Sequence, residues 1–368
     1  MGVPRRRAAA VLAAAVLAAG CAPHGDPRAD GVRRAVEAHH RASLGGAPLA
    51  SWTYRVLTVR RDGHRAAVDA ELTYALDGYD AAPATARRRL DLARRDGRWR
   101  VTGDRPARGR PAQLWDQGPV RAVRGARSLV LGTGHPRALL GEVAAAADRA
   151  VPAVAAAWPD GAWRGRVVVL VPGSSGAMAA LLGEGPAAYR GVAAVTTGRT
   201  GGGAADRVVL NPEAYRELGD FGRTFVLAHE TAHVATRTAT TAATPLWLSE
   251  GLADRIAYRG TGRTAAEGAP ELGRAVRAGD GPAALPADAD FSFGADPAAV
   301  ARAYEGAWLA CELIADRWGE ERLADFYRAA GRSGARRAFR DVLATTPEEF
   351  TRAWRDRLRQ EFSSAPSR

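Results

Sequence analysis

The stretch Phe225-Val226-Leu227-Ala228-His229-Glu230-Thr231-Ala232-His233-Val234 decides the reading of this chain. Its apolar residues suit a buried helix. Side chains four apart on a helix share a face, so His229 and His233 can bind one metal ion together. Glu230 sits beside the first histidine, where it can take a proton from a water held at such a metal and later pass it to a leaving group. A zinc site of this kind needs a third protein ligand and an open position. The alternative is a polar cluster satisfied without metal, since two histidines and a glutamate on an apolar helix need partners in any case.

Working outward, the third ligand is expected downstream. Glu250, in Pro245-Leu246-Trp247-Leu248-Ser249-Glu250-Gly251-Leu252-Ala253-Asp254, lies 17 positions after His233. That leaves room for the motif helix to end, a loop over Thr236 to Thr244 to turn back, and a new helix to start. With these residues the chain resembles the gluzincin superfamily, and closely its peptidase MA-like branch. The resemblance covers about residues 126 to 360. It implies zinc held by His229, His233 and Glu250, with Glu230 catalytic. A metzincin would need a third histidine close behind the motif, and none follows His233. In thermolysin-like relatives a carboxylate placed like Asp254 holds the other ring nitrogen of a histidine ligand, here His229. Alternatively Asp254 pairs with Arg255 or Arg259. Relatives also use a downstream tyrosine or histidine at the oxyanion, which points to Tyr304, with Tyr258 as a second candidate. His135 is a loop residue at either the cleft or the open surface.

The segment before the motif reads as a mixed sheet: a β run at Ser128–Leu131, a helix over Pro136–Trp158, a buried strand Val167–Val171, a short helix from Met178, then strands at Gly191–Thr197 and Arg207–Pro212. The resemblance makes Arg207–Pro212 the strand bordering the cleft, able to pair with an extended peptide. Gly198–Gly203 is a loop near it, and lacks the lysine and serine of a phosphate loop. The motif helix is expected over Gly222–Arg237, capped by Asp220. Beyond it the chain is helical: Leu246–Tyr258, Pro297–Trp318, Glu320–Ala330, Arg332–Leu343, and a last helix opened by Thr346-Pro347-Glu348-Glu349.

Upstream lies a smaller unit, about residues 31 to 105. A helix is expected over Val32–Ser43, with His39 and His40 on its surface. Strands follow at Trp52–Val59, Ala66–Leu76, Arg87–Ala93 and Arg98–Thr102, with turns at Asp62-Gly63 and Asp96-Gly97. The closing run Leu90 to Asp104 resembles the cystatin-like and NTF2-like families, whose curved sheet wraps a helix. Residues 106–125 read as a linker, with Trp115–Arg127 docking the two units. The expected fold class is therefore α+β: a helix-plus-antiparallel-sheet domain, then a thermolysin-like (zincin) domain with a mixed sheet and a mainly helical C-terminal part.

Arg5 to Arg7, an apolar run from Ala8 to Ala19, and Gly20-Cys21 form a secretory signal too short to span a membrane comfortably. Leu17 to Cys21 resembles the lipobox of bacterial lipoproteins, although Leu17 stands four residues before the cysteine where the tight form has three. That resemblance implies lipid on Cys21, a tether over residues 22–30, and a location on the outer face of the bacterial cell membrane. Cys311, the other cysteine, then has no disulfide partner and reads as a small buried hydrophobe. All 52 basic residues are arginine against 40 acids, a net charge of +12. The arginines are spread along the chain, often beside acids, and no nucleic-acid module appears, so nucleic acid is not an expected partner. The expected function is zinc-dependent hydrolysis of peptide or protein substrates by a membrane-anchored extracytoplasmic protein. The alternative is a zincin-fold lipoprotein that binds or assembles without turnover.

Overall fold

The computed structural model describes residues 27–39, 44–159, 163–185, 187–189, 191–198, 205–292 and 296–363. Cys21 and the signal, His40, and nearly all of the glycine loop after Gly198 lie outside these. The fold is α+β.

The first unit sets one helix, α1 (Pro27–Glu37), on an antiparallel sheet ordered β1 (Leu49–Asp62), β2 (Arg65–Leu76), β3 (Ala84–Arg95), β4 (Arg98–Pro106). Period-two alternation buries Ala66, Val68, Ala70, Leu72 and Tyr74 on one face of β2, against Val32 and Val36 of α1. The helix starts five residues before Val32 and stops before Ser43. Pro27 opens it, because proline lacks an N–H that a first turn leaves unpaired anyway. His39 therefore lies beyond the helix. It reaches inward, its Nε2 3.6 Å from Asp104 and its ring 5.4 Å from that of Tyr54. Asp104 also accepts from Tyr54 Oη at 2.5 Å and from Arg88 Nε at 2.8 Å. Arg88, with no exposed surface, gives its other two nitrogens to Asp116 at 2.7 Å each.

The second sheet is ordered β5 (Val120–Arg124), β6 (Ser128–Thr133), β7 (Val167–Val171), β9 (Val208–Leu210), β8 (Ala194–Thr196). The inner three strands are parallel, and β5 and β8 are antiparallel edges. Two expectations change here. Val120–Arg124, read as linker, pairs along its whole length with β6. The 207–212 strand is not the edge: β9 is hydrogen-bonded on both sides, and among the described residues β8 is the edge on that side. The two sheets meet through Leu76, Leu114, Leu129, Leu131 and Val168. Tyr79 Oη donates to Ser128 O at 3.1 Å, and Arg207 clamps Asp80 at 2.6 and 2.8 Å.

Helices cover this sheet and then build a core of their own. They are α2 (Arg137–Ala157), α3 (Ser175–Leu182), α4 (Pro212–Glu217), α5 (Asp220–Thr236), α6 (Leu246–Tyr258), α7 (Ala265–Gly268), α8 (Pro270–Arg277), α9 (Pro297–Trp318), α10 (Glu320–Ser333), α11 (Ala335–Leu343) and α12 (Pro347–Ser363). Asp220 is the first residue of α5 and its cap is Gly219, so the expected side-chain cap is not made. Thr346 and Glu349 do form a reciprocal cap on α12. Among the described residues no helix is long and apolar enough to cross a membrane.

Candidate metal centre

The motif residues lie on α5, whose apolar face (Leu227, Ala228, Ala232, Ala235) is buried. This turns His229 and His233 toward α6. On α6, Glu250 is followed by Gly251, where a Cβ would stand 2.2 Å from Ala307 O. Only glycine lets α6 and α9 approach so closely, and that approach brings Tyr304 of α9 to the same cleft.

His229 Nε2 and His233 Nε2 are 3.1 Å apart. Glu250 Oε2 lies 3.3 Å from the first and 3.4 Å from the second. A tetrahedral zinc with bonds of about 2.0–2.1 Å would hold neighbouring ligand atoms about 3.3 Å apart. The three atoms thus already form one face of such a tetrahedron. Among the described residues, this is the group of histidines and carboxylates that could hold a metal ion. Asp254 Oδ1 is 2.7 Å from His229 Nδ1 and fixes the ring so that Nε2 points to the centre. Arg255 is instead taken by Glu320, at 2.7 and 2.8 Å.

The electrostatics favour a positive charge where the three atoms meet. Burial disfavours a charged His229, yet the Asp254 and Glu250 carboxylates lift it well above the usual histidine value. Burial also disfavours a charged Glu250, yet the two histidines hold it far below the usual carboxylate range. Tyr304 moves the other way. Burial, then the Glu250, Asp254 and Glu230 carboxylates, keep its phenol protonated and available as a donor. Its ring centroid is 6.3 Å from that of His229.

No family model and no curated protein matches this chain. Among solved structures, native yeast LTA4 hydrolase is similar at a TM-score of 0.39 and 16% identity, over 74% of this chain and 44% of that one. The chain spans less than half of that protein's length. The functional reading of the site rests on its own geometry.

That geometry includes residues the sequence did not single out. Thr196, at the end of the edge strand β8, donates its hydroxyl to Glu230 Oε2 at 2.5 Å and approaches Glu230 O at 3.0 Å. It pins the carboxylate of the motif glutamate, which is not among the candidate ligands. Beside it opens a cavity of about 410 Å³ whose walls include Ala194, Val226, Phe225, Tyr258 and Trp308. Tyr258 stacks on Trp308 at 4.2 Å and packs on Phe225 at 4.6 Å. Its hydroxyl donates to Gly268 O at 3.3 Å, so it builds the wall, whereas Tyr304 meets the Glu250 carboxylate. His135 is elsewhere, its Nε2 2.8 Å from Pro172 O. Cys311 is fully buried between α6 and α9, with its thiol pushed up by burial. A short threonine-ended strand carries no pattern that would have marked Thr196. The aromatic wall is scattered over three helices.

Proposed function

We propose that this chain is a zinc-dependent hydrolase of peptide bonds, exported and held at the outer face of the cell membrane by lipid on Cys21. The observation that carries the enzymatic part is the convergence of His229, His233 and Glu250 at tetrahedral spacing, with the Glu230 carboxylate beside them. A zinc ion held by these three side chains would act as a Lewis acid toward a peptide carbonyl and the attacking water.

The remaining chemistry falls to the chain. Glu230 takes the proton of the attacking water and delivers it to the leaving amine. Thr196 keeps its carboxylate aimed. Tyr304, protonated, donates to the oxygen on which charge develops. Asp254 holds the His229 ring in one orientation. The edge strand β8 offers its backbone to an extended peptide, and the neighbouring aromatic-walled cavity suits an apolar side chain of that peptide.

Elemental analysis of wild type and His233→Ala tests the site. One zinc per chain, lost on substitution, is expected, and no metal in either protein overturns the reading. A peptide library given to wild type and Glu230→Gln tests the reaction. Turnover in wild type alone is expected. Zinc bound without turnover would leave a scaffold that binds but does not cleave. Incorporation of labelled fatty acid into wild type but not Cys21→Ala tests the anchor.

A further inference from the structure

The small domain carries a concentration of charge that the proposed reaction does not use. The β1–β2 turn and the β3–β4 turn lie at the same end of the sheet, since Asp62 pairs with Arg65, Arg65 with Ala93, and Arg95 with Arg98. Residues 60–65 and 94–100 place seven arginines there against two aspartates, Asp62 and Asp96. Arg60 pairs with Asp69, and Arg61 lies over the Trp99 ring. Arg65, Arg95, Arg98 and Arg100 are exposed and form no ion pair among the described residues. The charged residues lining a groove of about 600 Å³ there are Arg60, Arg61, Arg65 and Arg95, with Asp62 and Asp91.

The chain enters the fold at this same end. Gly31 of α1 packs on Trp99, a Cβ there lying 3.2 Å from the Trp99 ring. Further along, His39 meets Asp104, which is deeper in β4. The helix thus runs from the hairpin tips inward, and Pro27 lies about 6 Å beyond Gly31 on the tip side. Five residues separate Cys21 from Pro27, a span of at most about 20 Å when extended. The opposite end of the sheet, at Tyr79 and Asp80, docks on the second domain. The twelve residues of β2 set the two ends about 40 Å apart.

We infer that the arginine-tipped end of the small domain docks on an anionic phospholipid bilayer, with the domain acting as a spacer that holds the metal centre away from the membrane. The charge complements such a surface, and the short entry segment delivers this end, and no other, to an anchor at Cys21. The inference rests on the exported, anchored reading proposed above, but it fails separately. Vesicle binding is read without lipidation or turnover.

The test uses the chain from Ala22 onward, which keeps every described element, with vesicles of phosphatidylcholine alone or with phosphatidylglycerol added. Co-sedimentation with the anionic vesicles only, weakening as salt rises, is expected. The combined variant Arg65→Gln, Arg95→Gln, Arg98→Gln, Arg100→Gln should lose about fivefold in partitioning for each arginine removed. The control Arg332→Gln, Arg352→Gln, on the C-terminal helices, should bind as wild type does. Equal binding of wild type to neutral and anionic vesicles would overturn the inference. So would undiminished binding by the fourfold variant, an equal loss in the control, or capture of a DNA duplex at a salt concentration where vesicles are not bound.

Discussion

Two of the carboxylate clusters buried in this molecule solve the same problem differently. In the small domain, Asp104 and Asp116 surround Arg88, which has no exposed surface and gives each a charge-assisted hydrogen bond. The cation is part of the chain and the cluster is closed. In the large domain, Glu230, Glu250 and Asp254 gather around two histidines, and among the described residues no guanidinium reaches them. The side chains of His229, His233 and Glu250 keep 12, 16 and 15% of their surface exposed. A protonated His229 offsets only one of the three carboxylates, so the cluster comes closer to balance when a divalent cation takes the place of that proton. A closed cluster with its own arginine is a structural device. An open one built of ligand atoms is a group that could hold a metal ion.

The comparison predicts opposite responses to substitution. Glu230→Gln should lower peptide hydrolysis by about 10²–10⁴-fold, the range for a lost general base, while zinc content and thermal stability stay near wild type. A stable, zinc-loaded variant with undiminished turnover would remove Glu230 from the reaction. Arg88→Leu should do the reverse. It strands two buried carboxylates and should cost about 3–5 kcal/mol of stability, read by denaturant unfolding.

The same domain should be acid-sensitive. Burial disfavours the Asp104 charge, but His39, Tyr54 and Arg88 outweigh it and hold the carboxyl below its usual range. Its folded pKa lies below its unfolded one. Its contribution is therefore complete above the ordinary carboxylate pKa and drains away as pH falls toward the folded value. Asp104→Asn should flatten that part of the stability profile below about pH 4.

Asp254→Asn probes the open cluster more gently. The amide can still meet the His229 ring but no longer fixes its tautomer or raises its basicity. Zinc affinity should fall about 10–100-fold, measured by competition with a chelator, with the fold intact. An unchanged affinity would show that the Asp254 contact is only packing.

Much of this arrangement is legible in the sequence. Leu246–Tyr258 and Pro297–Trp318 emerge with the bounds their apolar period and entry prolines indicated, because strong periodicity over three turns or more leaves little choice. His229, His233 and Glu250 meet because two helices carry them at fixed phase. What escaped the sequence depends on contacts between distant segments. Val-Arg-Ala-Val-Arg at 120–124 has the composition of a linker and becomes a strand only through β6. β8 and β9 have three residues each, and nothing in so short a run says which is the edge. The identity of the edge then decides which side chain meets Glu230.

That side chain is Thr196, and it supplies the finest test of the contrast between the clusters. In the closed cluster three of the four carboxylate oxygens accept from Arg88, and the fourth, Asp104 Oδ2, accepts from Tyr54 Oη. At Glu230 the tie is a single hydroxyl, 2.5 Å from Oε2, strong enough to aim the carboxylate and weak enough to release it for proton transfer. Thr196→Val keeps the shape and removes the donor. A hydrogen bond to a charged group contributes about 1.5 kcal/mol or more, so kcat should fall about tenfold with KM and zinc content unchanged. Thr196→Ser restores the hydroxyl on the same backbone and should recover most of the rate. If valine and serine behave alike, the hydroxyl only fills space at the end of β8. If valine raises KM instead, Thr196 acts on the bound peptide through the strand edge rather than on Glu230.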